Sequence, residues 1–531
     1  MRLLSPLAAY LPRWRTSPGL GVGAFARAWF TRHGAMLALA LLTVGLAHHV
    51  AGRYFEFWPH LEDEVAYWWQ AQAASQGQLT VPSPPEPQLF LIPFVIDRDG
   101  QRFGKYPPGW PVVLALGLRW GRAAWVNPFL AGLAVWLLYR LAKRVADPVV
   151  AWVTVLLALT SPLFWLQAGS LLAHMAAWVF TLLMHVALLD VLWPRADGPA
   201  WPLPALVAGG SAALLLLTRP WTALGVALPW LPVVLYALVR RPATRPGLLL
   251  AGAGAALGLG LFLLWQAALT GSPWQSPYTL WWPYDKPGFG PGHGPLPQGH
   301  SWAQGWVNTR FSLTVAASDV LGWLRASWLL LPAGLWAARG RPRAWPALLT
   351  FPALVGVYWA YWVGAWVLGP RYYFEGLHSW LLLSAWGGVA LWRGLGRVRG
   401  GWAPRTAVVA LVAVLVVLNL RYYLPARLHM MRGLYGMTPR RVAVFLSPQA
   451  RALTPAWVRV QGVTRWSDYA VYVPLQDPWL RTPWVFVIDP GRDAAALAAL
   501  RAALAPRQEV LYNPREAPAV LTRILLVPVE P

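Results

Sequence analysis

KYPPGWPVVLALGLRWGR, residues 105–122, decides how this chain threads. Its apolar stretch Val112–Leu118 is closed by Pro111 on one side and Arg119 on the other. A helix that short covers only about 10 Å, against roughly 30 Å of bilayer hydrocarbon. The stretch therefore reads as an interfacial helix that returns to the side it came from, and every later apolar run inherits its orientation from that reading.

The rest of the chain makes a membrane the relevant solvent. Of 531 residues, 57% are apolar and 12% charged, half the charge of a soluble domain. Met36–Val50, Val149–Leu166, Leu248–Leu269 and Val408–Leu420 are long and nearly free of charge. The net charge of +24 comes from short basic clusters between apolar runs, which is orientation charge and excludes a nucleic-acid face. There is no Cys, hence no disulfide framework and no thiolate metal site. The first 33 residues hold Arg2, Arg13, Arg15, Arg27 and Arg32 without an apolar core and small-residue cleavage site, and read as a cytoplasmic tail before an uncleaved span.

With 112–118 kept out of the membrane, hydropathy gives eleven spans. These are roughly 34–52, 123–139, 149–168, 171–192, 202–218, 220–239, 247–269, 318–338, 345–366, 372–392 and 405–423. The loops with Arg140/Lys143/Arg144, Arg195, Arg240/Arg241/Arg245, Arg339/Arg341/Arg343 and Arg393/Arg397/Arg399/Arg405 then all fall on the side of the N-terminal tail, which the positive-inside rule makes cytoplasmic. The opposite face collects loop 53–122, the turn AGSLLAH (168–174), the Arg219-Pro220 turn, loop 270–317 and LGPRYYFE (368–375). The expected architecture is an all-α polytopic membrane domain, 1–424, followed by a small external α/β domain, 425–531. The latter rests on β-like runs VAVFL, AWVRVQG, YAVYVP, WVFVID and ILLVPV and the helical stretch DAAALAALRAALA.

Loop 53–105 holds seven of the 20 acids, three of them adjacent in HLEDEVAYWW (60–69): Glu62, Asp63 and Glu64. Acids in a first turn favour the helix dipole, and Trp and Tyr favour the interface, so a solvated helix start is one reading. The other is a carboxylate base or a metal ligand held at the membrane surface.

DEVAY followed by KYPPGWP and then by a span ending in YRLAKR resembles the GT-C membrane glycosyltransferases, and is similar to the protein O-mannosyltransferases and the lipid A aminoarabinose transferases. In those families an acidic pair in the first external loop precedes a basic-Pro-Pro interfacial helix. The resemblance covers residues 34–200 in pattern and the later spans in architecture. Here Tyr106 stands between Lys105 and the Pro pair, and Glu375-Gly376 replaces a Pro near the late Arg-Tyr segment.

The resemblance implies a sugar transferase of a bacterial-type inner membrane, working on its external face. The donor would be a polyprenyl-phosphate sugar and the acceptor a lipid, glycan or protein, with membrane lipids around and no nucleic acid. Asp63 and Glu64 are the implied catalytic pair, and Glu62 the bystander. The resemblance fixes no cofactor and leaves a divalent metal ion open, which would fall to Asp63 and Glu64. The donor phosphate calls for cations: Arg219 in LLTRPWTAL, Arg371 and Lys105. Snorkelling to headgroups for Arg219, and an i,i+4 pair with Glu375 for Arg371, are the structural alternatives. Tyr67, Tyr106, His174, Asp285, His293 and His300 complete the substrate-site candidates, the last three on a Gly/Pro-rich segment (284–300) that reads as a gating or acceptor-side loop rather than a zinc site. A transporter or flippase, or a non-catalytic protein of envelope polysaccharide assembly, is the alternative; mid-membrane acids and repeated halves, the marks of transport, are absent from the sequence.

Overall fold

The computed structural model describes residues 22–195, 202–397 and 402–514. The N-terminal tail before residue 22, Arg399 and the run ILLVPV (524–529) lie outside the described residues.

Helix α1 (Val22–Arg53) carries the first apolar run, and the chain then leaves the bundle into α2 (Glu62–Ser75). A small antiparallel sheet follows, β1 (Val81–Pro82), β2 (Val95–Arg98) and β3 (Gln101–Gly104), in the order β1-β3-β2. Asp99-Gly100, both at positive φ, makes the two-residue hairpin turn, a signal the hydropathy reading passed over. Helix α3 (Gly109–Arg119) starts directly after Pro107-Pro108. Its eleven residues reach about 16 Å, so the interfacial reading of this stretch agrees with its length. A Cβ on Gly109 would meet the Leu217 carbonyl at 2.7 Å and the Thr218 hydroxyl. Glycine is what lets α3 lie against the end of a later helix, one residue from Arg219.

Helices α4 (Val126–Val145), α5 (Pro148–Thr160), α6 (Pro162–Gly169), α7 (His174–Leu192) and α8 (Leu203–Thr218) build the next part of the bundle. Asp147 caps α5 by accepting from Val149 and Val150 N–H, and Ser161 caps α6 by accepting from Phe164 N–H, each with Pro in the first position. The Ser161-Pro162 cap interrupts one apolar run into two helices bent by 63°. Pro220–Arg240 and Arg245–Thr270 follow. Leu41, Leu46, Leu249, Leu257 and Leu264 face outward on these helices, as does Val417 on the helix Trp402–Leu418, the inverse of a soluble core and suited to lipid.

The eleven-span count needs correction. Six helices are long and apolar enough to cross a membrane, or seven if the bent α5–α6 pair is one span, among the described residues. Leu203–Thr218 is shorter, and the runs 318–338 and 345–366 are not single helices. The first contains a helix end at Asp319, a coil with Gly322 and Leu324 at positive φ, and a short helix Leu331–Ala338. The second holds Trp345–Leu348 and Thr350–Trp359 and then leaves helical geometry. Hydropathy averages over such breaks. It also hid a helix, Trp302–Asp319, inside the segment read as loop 270–317, because Gln304, Asn308 and Arg310 dilute its apolar face.

The basic clusters gather at one end of the bundle. Arg144 and Arg195 pair with Asp190 at 3.2 and 3.3 Å, Arg241 and Arg343 stack over Trp193, and Arg393 pairs with Asp147 at 2.8 Å. His174, at the other end of α7, is about 28 Å of helix away from them.

The C-terminal part contains a three-stranded parallel sheet, β4 (Ala456–Val460), β5 (Trp484–Ile488) and β6 (Gln508–Tyr512), in the order β5-β4-β6, with the helix Ala494–Leu504. Two expected strands are helical instead. VAVFL lies in the 3-10 helix Pro439–Leu446, which buries Val442 and Phe445 three residues apart, and YAVYVP runs through the helical turns Trp466–Ala470 and Val473–Leu475. This unit is not an appendage. Val65, Trp69 and Ala73 of α2 share one apolar core with Val458, Tyr472 and Phe486, and Gln72 donates to the Gln476 carbonyl at 3.1 Å. It therefore sits on the same face of the bundle as the first loop.

Candidate active site

The start of helix α2 is fixed by Glu64, its third residue, which is tied by both carboxylate oxygens. Its carboxylate accepts from the N–H groups of His60 (2.6 Å) and Leu61 (3.2 Å), satisfying free donors at the helix start, and from Leu171 N–H (2.7 Å) in the turn before α7. Trp110 Nε1 donates to the Leu171 carbonyl, and Asn127 Nδ2 to those of Ser170 and Leu172, so the same turn is clamped from α3 and α4. Burial outweighs the three N–H bonds and pushes the Glu64 pKa up to about 7.

Fixing Glu64 inward turns Glu62, Asp63 and Tyr67 toward a cavity of about 640 Å³ between the first loop, the ends of α7 and α8, and residues 276–287 and 358–372. Asp63 accepts from the Tyr106 hydroxyl and pairs with Arg371 at 3.2 Å. Burial pushes its pKa up, but Arg371, the Tyr106 hydrogen bond, Lys105 and Arg219 together hold it below the usual value. Asp63 is thus a carboxylate at neutral pH and reaches the cavity, with 24% of its side chain exposed.

Arg219 extends from the α8 terminus to Glu375 at 3.2 Å and donates to the hydroxyls of Thr222 and Tyr358, both at 3.1 Å. His174 Nδ1 lies 3.0 Å from the same Glu375 oxygen. Lys105 pairs with buried Asp285 at 3.0 Å beneath Phe94, Tyr278 and Trp282; Tyr361 and Trp362 also donate to Asp285. Burial lowers the Lys105 pKa, and Asp285 opposes it. Another part of the cavity wall is apolar, with Leu216, Trp221, Leu224, Leu259 and Phe262.

Eight candidates from the sequence therefore meet at one cavity: Asp63, Tyr67, Lys105, Tyr106, His174, Arg219, Asp285 and Arg371. Three do not line it. Glu64 is buried behind it; His293 hydrogen-bonds within its own loop, its carbonyl accepting from His300 N–H; and His300 Nε2 is spent on the Trp359 carbonyl. Arg371 pairs with Asp63 rather than with Glu375 four residues on. Glu62, set aside as a bystander, lines the cavity, as do Tyr358, Tyr361 and Tyr372, which sequence reasoning missed although the aromatic density of YWAYW marks two of them.

The donor set does not fit a metal held by Asp63 and Glu64. Their oxygens turn to different partners, Asp63 to Tyr106 and Arg371 and Glu64 to three backbone N–H groups. Among the described residues no group of three or more His, Asp or Glu side chains converges on a metal-sized site.

No family model and no curated protein sequence matches the chain. Solved structures do. ArnT from Cupriavidus metallidurans in the apo state superposes with a TM-score of 0.55 and 13% identity, over 92% of this chain and 93% of that one. The same protein bound to undecaprenyl phosphate gives 0.53 and 14%, over 91% and 93%. The archaeal oligosaccharyltransferase AglB from Archaeoglobus fulgidus, in complex with an inhibitory peptide and a dolichol-phosphate, gives 0.51 and 12%, over 91% of this chain and 70% of that one. At such identities what is shared is the fold, and the chain is similar over nine-tenths of its length to the GT-C membrane enzymes that its first-loop motif resembles.

Proposed function

We propose that the protein is a glycosyltransferase that moves a sugar from a polyprenyl-phosphate donor to an acceptor hydroxyl at the external membrane face. The observation that carries this is the cavity itself: an ionised carboxylate, Asp63, is paired with Arg371 and lies beside Arg219 in a space that is also lined by Leu216, Leu224, Leu259 and Phe262. Solved structures of the same fold hold undecaprenyl phosphate and dolichol-phosphate, ligands with the matching chemistry.

In this reading the isoprenoid chain lies along Leu216, Leu224, Leu259 and Phe262, and its phosphate reaches Arg219, Arg371 and Lys105. The acceptor oxygen attacks the anomeric carbon opposite the phosphate. The new C–O bond forms as the anomeric carbon–phosphate oxygen bond breaks, and configuration inverts. The proton of the acceptor hydroxyl passes to Asp63, and the departing phosphate keeps the electron pair, its charge met by the guanidinium groups. A phosphate monoester is a sufficient leaving group without a second acid. Glu64 acts through Asp63, as the anchor that sets the α2 terminus. The apolar helices and the basic end of the bundle support an integral membrane protein with the cavity opposite the cytoplasm.

The test is sugar transfer by the purified protein from a panel of polyprenyl-phosphate sugars to lipid, glycan and peptide acceptors, with Asp63→Asn alongside. Transfer by wild type and its loss in Asp63→Asn is the expected result. Full activity in Asp63→Asn removes the base, and no transfer from any donor removes the function.

A further inference from the structure

Four carboxylates and four cations border the cavity or its walls, and three pairs are closed: Asp63 with Arg371, Glu375 with Arg219, and Asp285 with Lys105. Glu62 is left over. It lines the cavity beside Asp63, half-buried, and neither a hydrogen bond nor an ion pair engages its side chain among the described residues. Lys286, the leftover cation, is exposed on the wall formed by the long loop and is not within ion-pair distance of it. A half-buried carboxylate without a hydrogen-bond donor loses hydration, and only the more distant Lys105 and Arg371 offset that loss. Such a group gains when a ligand brings a donor to it.

The cavity also says which ligand. Cations concentrate at Arg219 and Arg371, 13% and 16% exposed, at the ends of α8 and the 368–376 turn. A phosphate is drawn there and repelled from Glu62. Glu62 immediately precedes Asp63 at the start of α2, and both line the same cavity. With the phosphate at the guanidinium groups and Asp63 taking the acceptor's proton, the carboxylate next to that base is placed to meet the molecule that gives the proton up.

We infer that Glu62 is a specificity-determining residue that accepts hydrogen bonds from hydroxyl or ammonium groups of the acceptor, next to the hydroxyl that Asp63 deprotonates. This rests on the transferase reading and deepens it. Glu62 and Asp63 thereby divide recognition and proton transfer, and the working acidic pair of the cavity is 62–63, with Glu64 behind it as the anchor.

The experiment is steady-state transfer with donor and acceptor varied separately, for wild type, Glu62→Ala and Glu62→Gln. The expected result is an acceptor KM raised about tenfold or more in Glu62→Ala, as for loss of a hydrogen bond to a charged group, with the donor KM and kcat within about threefold. Glu62→Gln separates the two donor chemistries: near-wild-type KM identifies hydroxyls, which an amide oxygen still accepts, and a KM as high as that of Glu62→Ala identifies an ammonium. Because the carboxamide fills the same volume, thermal unfolding of Glu62→Gln in detergent matching wild type certifies the fold. An acceptor KM within twofold of wild type in both variants overturns the inference while leaving the transferase reading intact, as does a change confined to the donor KM. Absence of transfer by wild type brings down both.

Discussion

The two faces of α2 present opposite uses of charge. Toward the membrane domain, Asp63, Glu375 and Asp285 each have a single Arg or Lys partner along an open cavity, and among the described residues no ion pair engages Glu62. Toward the C-terminal unit, Val65, Trp69 and Ala73 enter an apolar core, and the charges beyond are bridged several times over: Arg459 binds Asp489 at 2.7 Å and Glu509 at 2.8 Å, and Glu509 also takes Arg501 at 2.8 Å. Saturated charge holds a fold. Singly paired charge beside a space can be exchanged for a ligand's, and this difference, more than the number of acids, separates a site from a scaffold.

Breaking that contrast is straightforward if it is false. Asp63→Asn is expected to lower kcat by about 100-fold or more with unchanged thermal unfolding, whereas Arg459→Gln is expected to lower the unfolding temperature and leave kcat within twofold. A similar loss of kcat in both would erase the distinction. Trp69→Ala, on the C-terminal face of the same helix, should cost about 3–5 kcal/mol in an unfolding experiment, because Trp69 is 1% exposed.

Smaller effects sharpen the picture. Arg371 is the strongest influence holding the Asp63 pKa down, so Arg371→Gln raises that pKa and moves the acidic limb of the pH–rate profile to higher pH. Tyr106→Phe shifts it in the same direction by less. Glu64 has the opposite sign. Its pKa, raised to about 7 in the folded protein from an ordinary 4.5, means the native state holds the proton more tightly. Its contribution to stability is therefore full below the ordinary value and declines as pH rises through about 7. Unfolding temperatures taken between pH 5 and 8 should show that decline in wild type and a flatter profile in Glu64→Gln.

How much of this was legible beforehand depended on the kind of signal. Asp63, Lys105, Arg219 and Arg371 line one cavity; the two arginines stand out as scarce charges beside apolar runs, and Asp63 and Lys105 through the family resemblance of DEVAY and KYPPGWP. The division among Glu62, Asp63 and Glu64 was not legible. Which of three adjacent acids turns inward depends on the turn at residues 169–173, a hundred positions later, and on the N–H that Leu171 offers. Asp285 was found by composition, but its link to Lys105 spans 180 positions and leaves no local pattern. The broken helices after Asp319 and Trp359 were hidden because hydropathy records what a segment is made of and not where its backbone turns.

The shared core of α2 and the C-terminal unit has a consequence for the order of synthesis. Residue 63 leaves the ribosome early, yet the helix that carries it is packed on one side by Tyr472 and Phe486 and bonded to Gln476. Until those residues have been made and packed, α2 lacks the apolar core behind the carboxylate. A chain cut before residue 456 keeps Asp63 and its ion pair with Arg371 but loses the apolar core against which α2 packs.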